Sequence, residues 1–198
     1  LTVMNNTLYF FADDYYHGRE LWKSDGTTSG TVAVRPGPSN LNHLTVMNNT
    51  LYFSASRGAN GTELWKSDGT GPGAVMVKDI NNGSDSSTPK HLTAVNNMLY
   101  FSADDGTHGI ELWKSDGTTN GTVMVKDISP GPLTVLGNTL YFAADDGTNG
   151  SELWKSDGTT NGTVMLVDIN SGEDDSNPRN MKAVGNTLYF AANDGTNG

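Results

Sequence analysis

The chain has 198 residues, of which 35% are hydrophobic, 24 are glycine and none is cysteine. Its formal net charge of −10 at pH 7 argues against binding to nucleic acid or to an anionic membrane surface, because basic side chains supply those contacts. The lack of cysteine rules out disulfides and thiolate metal sites. No apolar run approaches the ~18 residues of a membrane span, so we expect protein surfaces or glycans as partners.

One sequence repeats along the whole chain, and each full copy contains one tryptophan, at successive spacings of 43, 48 and 41 residues. The copies are 1–43, 44–91, 92–132, 133–180 and a partial copy, 181–198. A period of roughly 40 to 50 residues is typical of folds in which each repeat buries its apolar face against its neighbours. We therefore expect a single domain of four complete repeats and the first half of a fifth.

Each repeat is predicted to contain four short strands, and the third copy shows them most clearly. The predicted strands are 92–95, 98–103, 110–115 and 123–128. Asn-Asn and Asp-Gly pairs lie between the apolar runs, and both favour tight hairpin turns. Neighbouring strands should therefore be antiparallel.

This pattern predicts an all-β fold, a β-propeller with four-stranded antiparallel blades of 41–48 residues. A β-solenoid is the main alternative, but its rungs are usually shorter and built from parallel strands. Four repeats and a half do not by themselves make a ring of whole blades. We expect a processed or partial chain whose ring is completed by further residues, with self-association as a further interaction.

The sequence ELWKSDGT occurs at 20–27, 63–70, 111–118 and 152–159, flanked by segments such as GTVMVKDI and LTVMNNTLYF. This pattern resembles the ELWxxDGT repeat of secreted and cell-surface bacterial proteins, whose arrays are often called hyalin-like. The likeness covers nearly the whole chain. It implies an extracellular, propeller-forming module for adhesion or interaction, and it implies no catalytic residue. The first and third repeats depart from the pattern in the loop after the fourth strand.

Residues that recur in every repeat are predicted to be structural, since a catalytic site needs different groups to converge. The tryptophans should pack between neighbouring sheets, and the aspartates should close turns on their own backbone. A carboxylate before each Leu-Trp pair could line a channel, or it could bond to the backbone or to a neighbouring lysine, and we favour the second role. These three sets are Trp22, Trp65, Trp113 and Trp154; Asp25, Asp68, Asp116 and Asp157; and Glu20, Glu63, Glu111 and Glu152.

Two loops after the second and fourth repeats read D-x-N-x-G-x-D. Their oxygen-bearing side chains are Asp79, Asn81 and Asp85 in the first loop, and Asp168, Asn170 and Asp174 in the second. Alternating oxygen ligands around a glycine suit Ca²⁺, which takes six to eight oxygens. The distal bidentate glutamate of an EF-hand is missing, and a solvated Asx turn is the alternative.

The loop containing Tyr15, Tyr16 and His17 differs from its counterparts, and adjacent exposed aromatics suit stacking on a sugar or contact with a protein. The four histidines show no His-x-x-x-His spacing, which argues against a zinc or copper centre. No nucleophile–base constellation stands out from the repeat.

These features predict a secreted or cell-surface structural or adhesive binding module without catalytic activity, stabilised by Ca²⁺ if the two acidic loops bind it. A glycan-binding lectin is the first alternative. A propeller-type hydrolase is the second, and it would require non-repeated carboxylates to converge.

Overall fold

The computed structural model describes residues 1–35 and 37–196, and within these residues all regular structure is β. The described residues contain no helix with the length and hydrophobicity needed to cross a membrane. The prediction of an all-β fold is confirmed, and three of the sheets that the structure describes are antiparallel and four-stranded, as predicted.

Within the described part of the chain, five antiparallel sheets follow one another. Sheet 1 contains β1 (Thr2–Met4), β2 (Thr7–Asp14), β3 (Gly18–Ser24) and β4 (Val32–Ala33). Sheet 2 contains β5 (Ser39–Met47), β6 (Thr50–Arg57), β7 (Asn60–Ser67) and β8 (Val75–Lys78). Sheet 3 contains β9 (Lys90–Val95), β10 (Met98–Asp104), β11 (Ile110–Ser115) and β12 (Val123–Lys126). Sheet 4 contains β13 (Ser129–Pro130), β14 (Thr134–Leu136), β15 (Thr139–Asp145), β16 (Ser151–Ser156) and β17 (Val164–Val167). Sheet 5 contains β18 (Arg179–Val184) and β19 (Thr187–Ala191).

In sheets 1 to 3 each strand pairs with the next one along the chain. The hairpins between first and second strands carry residues with positive φ, such as Asn48 (49°) and Asn49 (59°). Two successive residues with positive φ are typical of the type I′ turn, and asparagine tolerates them. The Asn-Asn pairs therefore form the predicted hairpin turns.

Sheet 4 differs because its first strand is interrupted, so that β13 and β14 both pair with β15. The residue before the first Leu-Thr of sheets 2 and 3 has positive φ, at His43 (55°) and His91 (57°). Sheet 4 has Pro132 at this position. Because proline is restricted to negative φ and lacks an N–H group, the strand cannot continue in the same way.

Three hydrophobic cores lie between consecutive sheets, and each takes side chains from two of them. Phe53, Phe101 and Phe142 are fully buried in these cores. Each core includes the tryptophan of the later sheet, so that Trp65 packs against residues of sheet 1. Burial is therefore distributed along the stack, as expected for a repeat protein.

Polar contacts between sheets also recur. The Lys66 ammonium of sheet 2 donates to the Gly117 carbonyl of sheet 3 at 2.8 Å, and Lys114 of sheet 3 donates to Gly158 of sheet 4 at 2.8 Å. Thr119 donates to the Val77 carbonyl at 2.8 Å in the opposite direction. Because equivalent atoms meet at successive interfaces, sheets 2, 3 and 4 are stacked with the same relative geometry.

Candidate functional site

The most exposed aromatic side chains of the described residues lie together on the loop between β2 and β3. Tyr15 is 94% exposed and Tyr16 is 85% exposed. Their ring centroids are 5.2 Å apart and the ring planes meet at 86°. The pair presents apolar faces and phenol hydroxyls to solvent, an arrangement that suits contact with a sugar or a protein surface.

This loop is held in place by Asp14, the last residue of β2. Its Oδ1 accepts hydrogen bonds from the backbone N–H groups of Tyr16 at 2.8 Å and His17 at 2.6 Å. The His17 ring nitrogen Nδ1 lies 2.9 Å from Asp14 Oδ2. Partial burial opposes ionisation, but these hydrogen bonds lower the pKa of the Asp14 carboxyl to about 2. The tyrosines are therefore displayed on a turn closed by an ionised side chain.

Arg35, which follows β4, places its guanidinium among three side chains of this turn. Its Nη2 donates to Asp14 Oδ2 at 2.7 Å, and its Nε donates to Glu20 Oε1 at 2.7 Å. Nη2 also contacts Glu20 Oε2 and lies 3.0 Å from His17 Nδ1. Asp14, His17 and Glu20 thus surround a cationic group.

The same group of side chains occurs in sheet 3 as Asp105, His108 and Glu111. The His108 ring nitrogen Nδ1 lies 2.9 Å from Asp105 Oδ2, and one ligand atom from each residue lies within 4.8 Å of the other two. Glu111 is fully buried. Its Oε2 accepts a hydrogen bond from the Trp113 indole at 2.9 Å, while its Oε1 is buried with no hydrogen-bond partner of normal geometry.

Burial raises the pKa of the Glu111 carboxyl, an effect that the Trp113 hydrogen bond partly offsets and the charges of Asp105 and Asp104 reinforce. Sequence reasoning missed both triads because it searched for spacings between histidines. The available signal was the D-x-x-H-x-x-E spacing at 14–20 and again at 105–111.

In sheets 2 and 4 the equivalent glutamates are fully buried and fix the long loops that follow. Glu63 Oε2 accepts hydrogen bonds from the Ile80 N–H at 2.9 Å and the Ser87 hydroxyl at 2.5 Å, and its Oε1 accepts the Ser87 N–H at 2.8 Å. The same three bonds recur between Glu152 and the pair Ile169 and Ser176. These glutamates bond to backbone and hydroxyl groups of the loops.

In the first D-x-N-x-G-x-D loop, Asp79 Oδ2 accepts a hydrogen bond from Asn60 Nδ2 at 2.8 Å. Asp79 Oδ1 is buried and has no hydrogen-bond partner. The Asn81 amide lies against Gly106 of the next sheet, and Asp85 is exposed.

The second loop repeats this arrangement. Asp168 Oδ2 accepts the Gly172 N–H at 3.3 Å, and Asp168 Oδ1 is buried without a partner. Asn170 lies against Gly195, and Asp174 is exposed. Each of the two loops thus contains one buried carboxylate oxygen without a hydrogen-bond partner.

The repeated aspartates lie in the turns between third and fourth strands. Asp116 Oδ1 accepts the Thr118 N–H at 2.8 Å and the Thr118 hydroxyl at 2.7 Å. These bonds lower the pKa of the Asp116 carboxyl. The same bonds to the threonine two residues later are made by Asp25, Asp68 and Asp157.

The tryptophans of sheets 2 to 4 are buried, with 5 to 6% exposure. They are Trp65, Trp113 and Trp154. Trp22 of sheet 1 is only partly buried.

No model of a known protein family matches the chain, and no curated protein matches it. Among solved structures, puromycin hydrolase is similar over 80% of this chain, with 14% identity and a TM-score of 0.51. A structure of a variant of that enzyme has a TM-score of 0.52. The computationally designed Ika4 protein is 19% identical, and the match covers 77% of this chain and 86% of Ika4, with a TM-score of 0.47.

The chain spans 30% of the puromycin hydrolase chain. That likeness is to a fold of the propeller type, and at 14% identity it concerns the fold and not the activity.

A separate cavity of about 330 Å³ is lined by residues at the starts of first strands, among them His43, His91 and Pro132. The two imidazole centroids are 6.4 Å apart. Burial lowers the pKa of His43, and the charges of Lys90 and Arg19 lower it further. This cavity does not include the tyrosine pair.

Proposed function

We propose that the chain forms consecutive blades of a β-propeller, with each of sheets 1 to 4 as one blade. The support comes from the repeat length, from the equivalent contacts between successive sheets and from the likeness to a propeller-type fold. Sheet 5 supplies the first two strands of a further blade.

The proposed function of these blades is binding without catalysis, in a secreted or cell-surface structural or adhesive module. The observation that carries this proposal is the exposure of Tyr15 and Tyr16, 94% and 85%, on a turn closed by hydrogen bonds to Asp14. Tyrosine side chains have only two χ angles and therefore lose little conformational freedom when a ligand packs on them. A protein or glycan surface is the ligand class that it suits.

Catalysis by paired carboxylates has less support. Asp105 and Glu111 approach one another, as the two acids of a glycosidase do. However, Glu111 is fully buried, so a substrate cannot reach it, and the same pair recurs in sheet 1 as Asp14 and Glu20.

A glycan-binding lectin is the second candidate function, and the same aromatic pair favours it. Both candidates are tested with an array of immobilised neutral and acidic oligosaccharides and of extracellular proteins, probed with the wild-type chain and with the double variant Tyr15→Ala/Tyr16→Ala. We expect the double variant to bind its target at least about tenfold more weakly, since aromatic anchors commonly contribute about 1 to 2 kcal/mol or more.

The matched control is Tyr189→Ala, which removes another exposed tyrosine, 60% exposed, from sheet 5. It should bind as the wild type does. Equal binding by all three proteins would show that the tyrosine pair is not the contact surface, and cleavage of the immobilised sugars would favour the hydrolase instead.

Calcium binding by the two acidic loops is a further part of the proposed function. Its support is the buried, unpartnered Oδ1 of Asp79 and of Asp168, because a buried carboxylate oxygen without a donor is costly unless a cation or a proton compensates it. Asp79 and Asp168 would hold the ion, and the neighbouring loop carbonyls and amide oxygens would complete its oxygen shell.

A further inference from the structure

Two triads of identical composition occupy equivalent places in sheets 1 and 3. In each one an aspartate ends the second strand or follows it, a histidine lies three residues later in the turn, and a glutamate lies three residues further on the third strand. The two triads are Asp14, His17 and Glu20, and Asp105, His108 and Glu111. Sheets 2 and 4 have Asn60 and Asn149 at the histidine position.

The triad of sheet 1 contains a cation supplied by the chain itself. Arg35 contacts all three side chains. Its Nε donates to Glu20, and its Nη2 contacts Asp14 and His17. The charge of Arg35 is therefore balanced by Asp14 and Glu20, and both partly buried carboxylates have a partner.

The triad of sheet 3 has no such partner among the residues that the structure describes. The residue that matches Arg35 in the repeat is Lys126, and it points to the next sheet, where it donates to the Thr163 carbonyl at 3.0 Å. Its ammonium also lies 5.5 Å from the centroid of the Trp154 ring. The charge near His108 is consequently negative, since Asp105, Glu111 and Asp127 all interact with it.

Glu111 gives a second, independent indication of a ligand. Glu63 and Glu152 each accept three hydrogen bonds from the loops that cover them. The loop after sheet 3 is shorter and makes none of these bonds. Glu111 is nevertheless fully buried, and its Oε1 has no hydrogen bond of normal geometry, although the Asp105 N–H interacts with the carboxylate. A buried carboxylate oxygen of this kind is costly unless a cation or a proton compensates it.

We propose that Asp105, His108 and Glu111 bind a divalent transition-metal ion in the place that the Arg35 guanidinium takes in sheet 1. One imidazole nitrogen and two carboxylate oxygens suit Zn²⁺, which binds such ligands at about 2.0 to 2.2 Å and accepts water as a fourth ligand. The ligand atoms lie within 4.8 Å of one another, so the side chains would have to move closer together to surround one ion.

The experiment measures zinc binding to the untagged full chain by titration calorimetry at pH 7.5, after removal of bound metal with a chelator. The wild type should bind one Zn²⁺ per chain. His108→Asn should weaken binding by at least about tenfold, and it should fold normally. The reason is that Asn149, at the same position of sheet 4, makes the equivalent turn bond to Asp146 at 3.0 Å.

A gain of binding in sheet 1 gives the sharper test. Arg35→Gln removes the guanidinium and leaves Asp14, His17 and Glu20 in place, so this variant should bind a second Zn²⁺. Adding His17→Asn to Arg35→Gln should return the stoichiometry to one. The control His91→Asn removes an imidazole of the His43–His91 pair and should leave zinc binding unchanged.

A wild-type chain that binds no Zn²⁺, or that binds it as tightly as His108→Asn, overturns the proposal, and both triads are then networks of ion pairs alone. Loss of zinc binding in His91→Asn with retention in His108→Asn also overturns it, since the metal would then lie in the histidine-lined cavity. These outcomes do not depend on the role proposed for Tyr15 and Tyr16.

Discussion

One residue of the repeat, the glutamate before Leu-Trp, has three different environments in this chain. Glu63 and Glu152 are capped by a loop that donates three hydrogen bonds, Glu111 is buried with one hydrogen bond from Trp113, and Glu20 pairs with Arg35 at the surface. The loop that follows each sheet determines which environment forms. The same side chain therefore serves as a structural anchor in two sheets and is available as a ligand in another.

We predict that Glu63→Ala destabilises the chain by about 2 to 4 kcal/mol, because it leaves the Ile80 and Ser87 amides without their acceptor and creates a cavity. Glu20→Ala should cost less than about 1 kcal/mol, since its partner Arg35 is exposed and can be solvated. Urea unfolding monitored by tryptophan fluorescence gives both values. Equal losses in the two variants would contradict the assignment of Glu63 as the anchor of its loop.

Contact between neighbouring sheets depends on a tyrosine of one sheet and a turn glycine of the next. A Cβ atom on Gly117 would lie 2.2 Å from the Tyr52 hydroxyl, and one on Gly158 would lie 2.1 Å from that of Tyr100. Burial raises the pKa of Tyr52, and the charge of the turn aspartate Asp116 raises it further. The glycine therefore has two roles, since it allows positive φ and makes room for the ring.

These two roles can be separated by substitution. Gly26→Ala should cost about 1 to 2 kcal/mol from backbone strain alone, because Gly26 has φ of +92° and nothing lies within 4 Å of its added Cβ. Gly117 has nearly the same φ, +90°. Gly117→Ala should therefore destabilise the chain by about 1 to 3 kcal/mol more than Gly26→Ala, through the clash with Tyr52.

The double variant Gly117→Ala/Tyr52→Phe should recover most of that extra loss, since the clashing hydroxyl is gone and the next ring atom lies at 3.3 Å. Chemical unfolding of the wild type, Gly117→Ala, Tyr52→Phe and the double variant completes a double-mutant cycle. A coupling energy near zero would show that this contact does not hold sheets 2 and 3 together.

The strands and hairpins were predictable because their signals are local. The Asn-Asn pairs and the period-wide alternation of apolar runs and turns reflect backbone preferences that each segment satisfies by itself. For β11 the predicted bounds, 110–115, are those observed. The interruption of the first strand of sheet 4 was not predicted, although Pro132 was its visible cause.

The side-chain arrangement of the candidate sites was less predictable because it depends on residues distant in sequence. Glu63 reaches Ser87, 24 residues later, and that contact exists only because a long loop folds back over its own sheet. The triads depend on a turn that brings residues 105 and 111 to the same side. Spacing alone did not distinguish Glu111, which lacks a covering loop, from Glu63, which has one.

For the molecule as a whole, stability is a sum of contributions from sheets and from the interfaces between them, as in other stacked repeats. Hydrophobic cores link sheet 1 to sheet 2, sheet 2 to sheet 3 and sheet 3 to sheet 4. The two acidic loops carry the chain from sheet 2 to sheet 3 and from sheet 4 to sheet 5. A ligand that stabilises these loops in the folded state would therefore stabilise several interfaces.

Calcium is the ligand that we expect to act there, and it should raise the melting temperature of the metal-free chain. Binding at a concentration of 100 times Kd stabilises the folded state by about 2.7 kcal/mol, which corresponds to about 5 to 10 °C for a chain of this length. The double variant Asp79→Asn/Asp168→Asn should lose the calcium effect, because the orphaned oxygens would no longer carry charge. His108→Asn should keep it, since the zinc triad lies outside both loops. Identical melting curves for the wild type in chelator and in millimolar Ca²⁺ would leave these loops as hydrogen-bonded turns, with each buried Asp Oδ1 compensated by a proton or by water.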